Sequence, residues 1–146
     1  MIKPKVCKDC IAAGAADTKR VASYPGPRCW SHHIAKRNKV RVANHARRTE
    51  ATYGLTAQEY QAIYEAQGGH CFICRRATGK TKRLAVDHEH DRLGCDHPRK
   101  QGCHLCVRAL LCGPCNQILG RYGVEALHRA IEVLTYPPAQ KVLVST

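Results

Sequence analysis

The sequence predicts a small α+β protein stapled by zinc, and three observations lead there. The first is a pair of Cys-x-x-Cys turns, Cys71 with Cys74 and Cys112 with Cys115. Each turn aims two thiolates at one point, and two turns complete a tetrahedron with arms of about 2.3 Å. The second is composition. A chain of 146 residues with 5% aromatics and ten cysteines builds a meagre apolar core and relies on staples. The third is the alternation of short apolar runs at 84–86 and 107–111 with helical patterns at 57–67 and 124–134.

Ten cysteines fit either a disulfide framework or metal sites. Met1-Ile2-Lys3-Pro4-Lys5 holds no apolar signal core, and no run approaches membrane-spanning length, which sets a membrane partner aside. A cytoplasmic, reducing setting is the expectation, and there paired cysteines more often serve metals. The net charge is +13, from 24 Lys and Arg against 11 Asp and Glu. Residues 1–52 are the more extreme part, with 12 basic and 3 acidic side chains. Such a field favours polyanions, of which nucleic acid is the commonest.

Taken in order, the chain opens on an expected zinc-knuckle module, residues 1–33. Cys7-Lys8-Asp9-Cys10 is followed, after 18 intervening residues, by Cys29-Trp30-Ser31-His32, with the turn Tyr24-Pro25-Gly26-Pro27 between. Cys7, Cys10, Cys29 and His32 make a Cys3His zinc set; His33 is within reach of the same point and stays open as the alternative. A basic linker helix is expected over residues 34–52, uninterrupted by Gly or Pro. Lys36, Arg37, Lys39, Arg41, Arg47 and Arg48 give it cations suited to DNA phosphates, a plain solvated helix being the other reading.

Tyr53-Gly54-Leu55 breaks that helix, and Thr56-Ala57-Gln58-Glu59 is a capping box that starts the next. Tyr60, Ile63, Tyr64 and Gln67 share its apolar face, and Gly68-Gly69 ends it. Leu84, Ala85 and Val86 form a short strand that delivers Asp87 and His88 at its end. Residues 107–111 form a second strand, and Asn116 falls in the first turn of a helix behind the last knuckle. A further amphipathic helix over 124–134 aligns Leu127, Ile131 and Leu134, with His128 facing solvent. Pro137-Pro138 ends the order, leaving 137–146 as a tail.

Residues 92–106 read as an insertion between the strands. Cys95, Cys103 and Cys106 remain after the other two sets are filled, and His97 completes a third Cys3His site. His104 is an alternative fourth ligand, and Cys103 with Cys106 can also be matched to Cys71 and Cys74. One to three structural Zn²⁺ ions are therefore expected.

A structural zinc needs only its four ligands, yet Asp87, His88 and Asn116 crowd beside the central knuckles. A strand ending in Asp-His, a second strand and a helix carrying Asn resemble the ββα-metal, or HNH, nuclease arrangement. Tyr53-Gly54-Leu55, Gly68-Gly69, Cys71-x-x-Cys74, Val86-Asp87-His88-Glu89-His90, Val107-Arg108-Ala109-Leu110-Leu111-Cys112 and Cys115-Asn116 together resemble the recombination endonuclease VII family. The resemblance runs from Tyr53 to about Leu134 and implies a nuclease domain over 53–136. It implies a zinc that holds the fold and a catalytic Mg²⁺ or Mn²⁺ held by Asp87 and Asn116. His88 would then be the general base and His90 a second active-site histidine.

The chain departs from that pattern at Ala109, where the family often has Gly, and in its Cys-rich insertion and residues 1–52. Only 30 residues follow Asn116, against the long helical dimerisation part of the family's best-known member, so the resemblance carries phosphodiester cleavage and leaves junction resolution open. Two function classes follow. One is a metal-dependent endonuclease nicking or cutting double-stranded or branched DNA. The other is a non-catalytic zinc-ribbon regulator or adaptor that binds nucleic acid. Both explain basic charge and knuckles; only the first explains Asp87, His88 and Asn116.

Overall fold

The computed structural model describes residues 5–15, 20–90 and 92–144; residues 1–4 and 16–19 of the expected zinc-knuckle module, Asp91 and the last two residues of the expected tail lie outside. Two compact units divide the chain, Met1–Ala51 and Thr52–Thr146. No helix among the described residues is long and apolar enough to cross a membrane.

In the first unit a short helix, α1 (Lys8–Ala12), begins directly behind Cys7, and a long one, α2 (Trp30–Tyr53), begins directly behind Cys29. Helix α2 starts four residues ahead of the expected linker, so His32 rides on its first turn. The reversal at Pro25 and Gly26 closes through the bridge between Tyr24 and Arg28, and Gly26 takes a φ of +79° that favours glycine. Arg28 Nε donates to Asp9 Oδ2 at 2.6 Å, tying this turn to α1. Among the described residues of this unit, the buried apolar cluster is Cys7, Cys10 and Cys29, with Ala15 against it. Three thiols are too little apolar surface to hold a fold by burial alone.

The second unit contains the core. Helix α3 (Ala57–Ala66) carries the expected capping box: Glu59 N–H donates to Thr56 Oγ1 at 3.2 Å, and Thr56 N–H donates to Glu59 Oε2 at 2.8 Å. Tyr60 is buried on its inner face and donates its hydroxyl to Leu84 O at 2.9 Å. Strands β1 (Ala85–His88) and β2 (Val107–Leu111) pair antiparallel, and Leu55, Tyr60, Cys71, Leu84, Val86, Leu110, Leu111 and Cys115 form the core around them.

The far edge of β2 is closed by a side chain. Gln67 Nε2 donates to Leu110 O at 2.9 Å, and Leu110 N–H donates to Gln67 Oε1 at 2.8 Å. Gln67, which its helical spacing placed on the apolar face, thus acts as a one-residue strand.

Helix α4 (Gly113–Arg121) starts three residues before Asn116 because Gly113 and Pro114 fit its first turn, where the missing proline N–H costs nothing. Helix α5 (Val124–Thr135) is amphipathic as expected, yet Ile131 and Leu134 are largely exposed. The stretch expected as a tail contains a further short helix, α6 (Pro138–Leu143), all of it exposed. Pro138 at its start supplies the pre-set φ that permits a helix where a proline pair was taken to end order.

Candidate active site and metal centres

Among the described residues, three groups of four ligand atoms converge: Cys7, Cys10, Cys29 and His32; Cys71, Cys74, Cys112 and Cys115; Cys95, His97, Cys103 and Cys106. In each group all four atoms lie within 4.8 Å of one another. A tetrahedron with zinc–sulfur arms has edges of about 3.8 Å, or about 3.6 Å from sulfur to nitrogen. His32 Nδ1 stands 3.4 Å from each of the three N-terminal sulfurs, Cys74 Sγ 3.8 Å from Cys112 Sγ, and His97 Nε2 3.5 Å from Cys106 Sγ. All three sets therefore have the donors and the spacing to bind zinc.

The alternatives left open by spacing separate cleanly. His33 stacks on Tyr24, with ring centroids 4.9 Å apart, while His32 turns to the thiols. His104 pairs with Glu59 at 3.0 Å, leaving His97 to join the third group. Cys103 and Cys106 do not partner Cys71 and Cys74.

The thiols themselves favour a cation. Backbone amides of Ala77 and Arg76 bring Cys74 down to about 6. Burial, reinforced by the neighbouring Cys112, Cys71 and Cys74 thiols, pushes Cys115 up to about 12. In the third group, hydrogen bonding between the two thiols takes Cys103 to about 6 and Cys95 to about 11. A last thiol that resists ionisation among its neighbours is what a dication reverses.

Beside the central group, β1 places Asp87 and His88 in succession, both buried. Opposite them, β2 carries a bulge. Asp87 pairs with Ala109 and His88 with Val107, so Arg108 is the extra residue. Arg108 Nε donates to Asp87 Oδ2 at 2.8 Å, and its Nη2 donates to Oδ1 at 3.0 Å. A carboxylate has about four lone-pair positions, and this fork uses two of them.

The His88 ring meets Tyr53 edge-on at 5.2 Å and His90 at 4.5 Å. The carbonyl of Arg99 lies 3.4 Å from His88 Nε2 and 2.9 Å from His90 Nδ1. A carbonyl only accepts, so a hydrogen bond at either position requires that nitrogen to carry the hydrogen; the His90 contact is the short one and the His88 contact is long. Asn116 sits in the first turn of α4, which contacts β1, and its Oδ1 is buried with no hydrogen-bond partner among the described residues. An orphaned buried amide oxygen is costly unless something binds it, and beside it runs an open cleft lined by Gly113, Gln117, Gly120 and Arg121.

Residues 46–136 match the family model described as recombination endonuclease VII. The chain belongs to the recombination endonuclease VII family. Family membership makes it one of a group of nucleases, for which DNA is the substrate. It is 50% identical over 144 residues to the Gene 59 protein of Mycobacterium phage D29, covering 97% of this chain and 79% of that one. The Gene 59 protein of Mycobacterium phage L5 is 49% identical over 144 residues, 97% of this chain and 80% of that one. No solved structure matches.

Within the endonuclease VII region, Arg108, the Arg99 carbonyl and Gln67 escaped reading from spacing. Arg108 lies in a motif whose residues were noticed, but only the bulge turns it toward Asp87. A carbonyl and an edge-capping amide leave no residue-type signal. The six basic side chains of α2, Lys36, Arg37, Lys39, Arg41, Arg47 and Arg48, are all exposed. At 100° per residue they fall within roughly a 200° sector of the helix.

Proposed function

We propose that the chain is a metal-dependent DNA endonuclease of the ββα-metal (HNH) type, with its nuclease domain at 53–136. The observation that carries this reading is the orphaned buried Asn116 Oδ1 on the helix that contacts the strand of Asp87 and His88. Asp87 keeps lone pairs beyond those used by Arg108, and Asn116 adds a neutral oxygen. Two hard oxygens suit Mg²⁺ or Mn²⁺, which takes few protein ligands and fills its shell with water and phosphate. When bound, the ion supplies charge that stabilises the pentacoordinate phosphorus and the departing oxygen.

The remaining work belongs to the chain. With Nε2–H directed at the Arg99 carbonyl, His88 presents Nδ1 as the lone-pair nitrogen, and Nδ1 takes the proton from water. The water oxygen bonds to phosphorus, the bond to the 3′ oxygen breaks, and that oxygen takes a proton from solvent, leaving a 5′-phosphate and a 3′-hydroxyl. Arg108 holds the Asp87 carboxylate in place through two charge-assisted bonds. His90 is the second active-site histidine, placed to hydrogen-bond a phosphate oxygen through its remaining nitrogen.

Zinc at the three Cys/His groups holds the fold. Residues 1–33 act as a zinc-knuckle module, and 34–52 as a basic helix that lies along phosphates through its six cations. Plasmid nicking with and without Mg²⁺ tests the reading. Nicking that needs Mg²⁺ and disappears in His88→Ala supports it, and full wild-type activity in EDTA refutes it. A non-catalytic zinc-ribbon module predicts DNA binding with no nicking under either condition.

A further inference from the structure

The third Cys/His group, inserted between β1 and β2, touches the proposed active site at three points. Arg99, between His97 and Cys103, gives its carbonyl to both His88 and His90. Glu89 N–H, next to His88, donates to the carbonyl of Cys106 at 2.9 Å. Gly102 packs so closely that an added Cβ would meet Tyr53 at 2.8 Å, Cys106 Sγ at 3.3 Å and His88 Cδ2 at 3.4 Å.

What holds this loop against the histidines is not apolar burial. Across 92–106, Cys106 is the one buried residue, and Leu93 and Leu105 are 97% and 60% exposed. Hydrogen bonds contribute Gln101 N–H to Pro98 O and Gly102 N–H to Thr52 O, both at 2.8 Å, with Cys95 N–H to Arg92 O at 3.2 Å, Cys106 N–H to Cys103 O at 3.1 Å and the exposed His104–Glu59 pair at 3.0 Å, a handful of bonds for fifteen residues. Fixing a residue's backbone costs about 1–2 kcal/mol, and a typical hydrogen bond returns about 1 kcal/mol, so those bonds cannot order the loop alone. Four converging ligands can, because a dication joins all of them at once.

We propose that Cys95, His97, Cys103 and Cys106 form a Zn²⁺ centre whose role is to position the histidines, by clamping the Arg99 carbonyl against His88 and His90. Arg99 is a positioning residue through its main chain, and the centre sets which His88 nitrogen bears hydrogen. Without the clamp the loop swings away, Nε2–H loses its acceptor, and the two neutral tautomers of His88 mix. This rests on the nuclease reading for its consequence in catalysis, but not for its structural content.

The test uses the full zinc-loaded chain and two variants. Cys95→Ser removes one half-exposed ligand, and Gly102→Ala crowds Tyr53, Cys106 Sγ and His88, prying the loop from the histidine while keeping all twelve ligand residues in the chain. Zinc per chain, melting temperature and the His88 tautomer by long-range ¹H–¹⁵N NMR are measured without DNA or Mg²⁺; nicking is measured separately. The wild type should carry three zinc and a single Nε2–H tautomer. Cys95→Ser should carry two, with mixed tautomers and nicking reduced tenfold or more. Gly102→Ala should keep three zinc and show the same tautomer mixing and loss.

A wild-type His88 spectrum in Gly102→Ala, or in Cys95→Ser with one zinc lost, overturns the proposal, as does retention of three zinc in Cys95→Ser. Should Cys95→Ser fail to fold, Gly102→Ala decides alone. A wild type that nicks no DNA refutes the nuclease reading instead, and the tautomer measurement still decides the positioning role.

Discussion

Replacing Gln67 by Met keeps the length and volume of the side chain while removing its donors and acceptor. Gln67 is 7% exposed, and its amide meets both the N–H and the carbonyl of Leu110, itself fully buried, as well as the carbonyl of His70 at 3.0 Å. In Gln67→Met the Leu110 N–H loses its acceptor, while Leu110 O keeps a longer bond from Phe72 N–H at 3.3 Å. A buried backbone group left without a partner costs about 1–3 kcal/mol, and each further lost bond about 1 kcal/mol. The expected loss is roughly 3–5 kcal/mol, a large share of the total for a small domain. At about 4–8 °C per kcal/mol for a domain under 100 residues, melting should fall by at least roughly 12 °C. The assay is thermal unfolding followed by circular dichroism at fixed free zinc, since bound metal shifts the midpoint by mass action. A melting point within about 2 °C of wild type would show that β2 does not depend on this amide.

Cys71→Ala should lower zinc content by one per chain and abolish the cooperative melting of the second unit, because that core is built around the central knuckles; retention of both the native transition and the metal would refute the site. His88→Ala should slow nicking by about 10²–10⁴-fold, the usual contribution of a general base, with Mg²⁺ and DNA affinity unchanged. Asn116→Ala should instead weaken Mg²⁺ binding, seen by titration calorimetry, by about tenfold or more if the lost ion–dipole contact is worth about 1.5–3 kcal/mol; partial rescue by excess Mn²⁺ is expected. Replacing Arg41, Arg47 and Arg48 together should flatten the slope of log K for duplex DNA against log salt by up to roughly 2.7, at about 0.9 per phosphate contact. An unchanged slope would remove α2 from the DNA interface.

Features governed by local chemistry were legible in the sequence. The capping box at Thr56 and Glu59, the glycine stop at Gly68 and the two strands each follow from side-chain type over a few residues, and each is present. Ligand sets were legible as far as spacing reaches. Choosing His32 over His33, or His97 over His104, needs the direction of one helix turn or one loop, which spacing leaves free. Helix α4 begins at Gly113, three residues ahead of Asn116, because proline is at home in a helix's first turn. Least legible were contacts made by the backbone or created by an irregularity: the Arg99 carbonyl beneath two histidines, and the bulge that turns Arg108 onto Asp87. A bulge depends on how two strands register, and neither strand announces it alone.

The connection between the paired strands has a kinetic consequence. Eighteen residues separate His88 from its partner Val107, long for a hairpin, and closing a flexible loop of that length costs roughly 2.6 kcal/mol plus a constant. Once Cys95 and Cys106 are joined through a metal, the free stretch shrinks to residues 89–94 and the cost to roughly 1.6 kcal/mol. The ion thereby acts on the speed with which the strand pair closes as well as on its final stability. Refolding from denaturant should be several-fold faster when zinc is present from the start than when it is added late, a difference that stopped-flow mixing in the two orders would resolve.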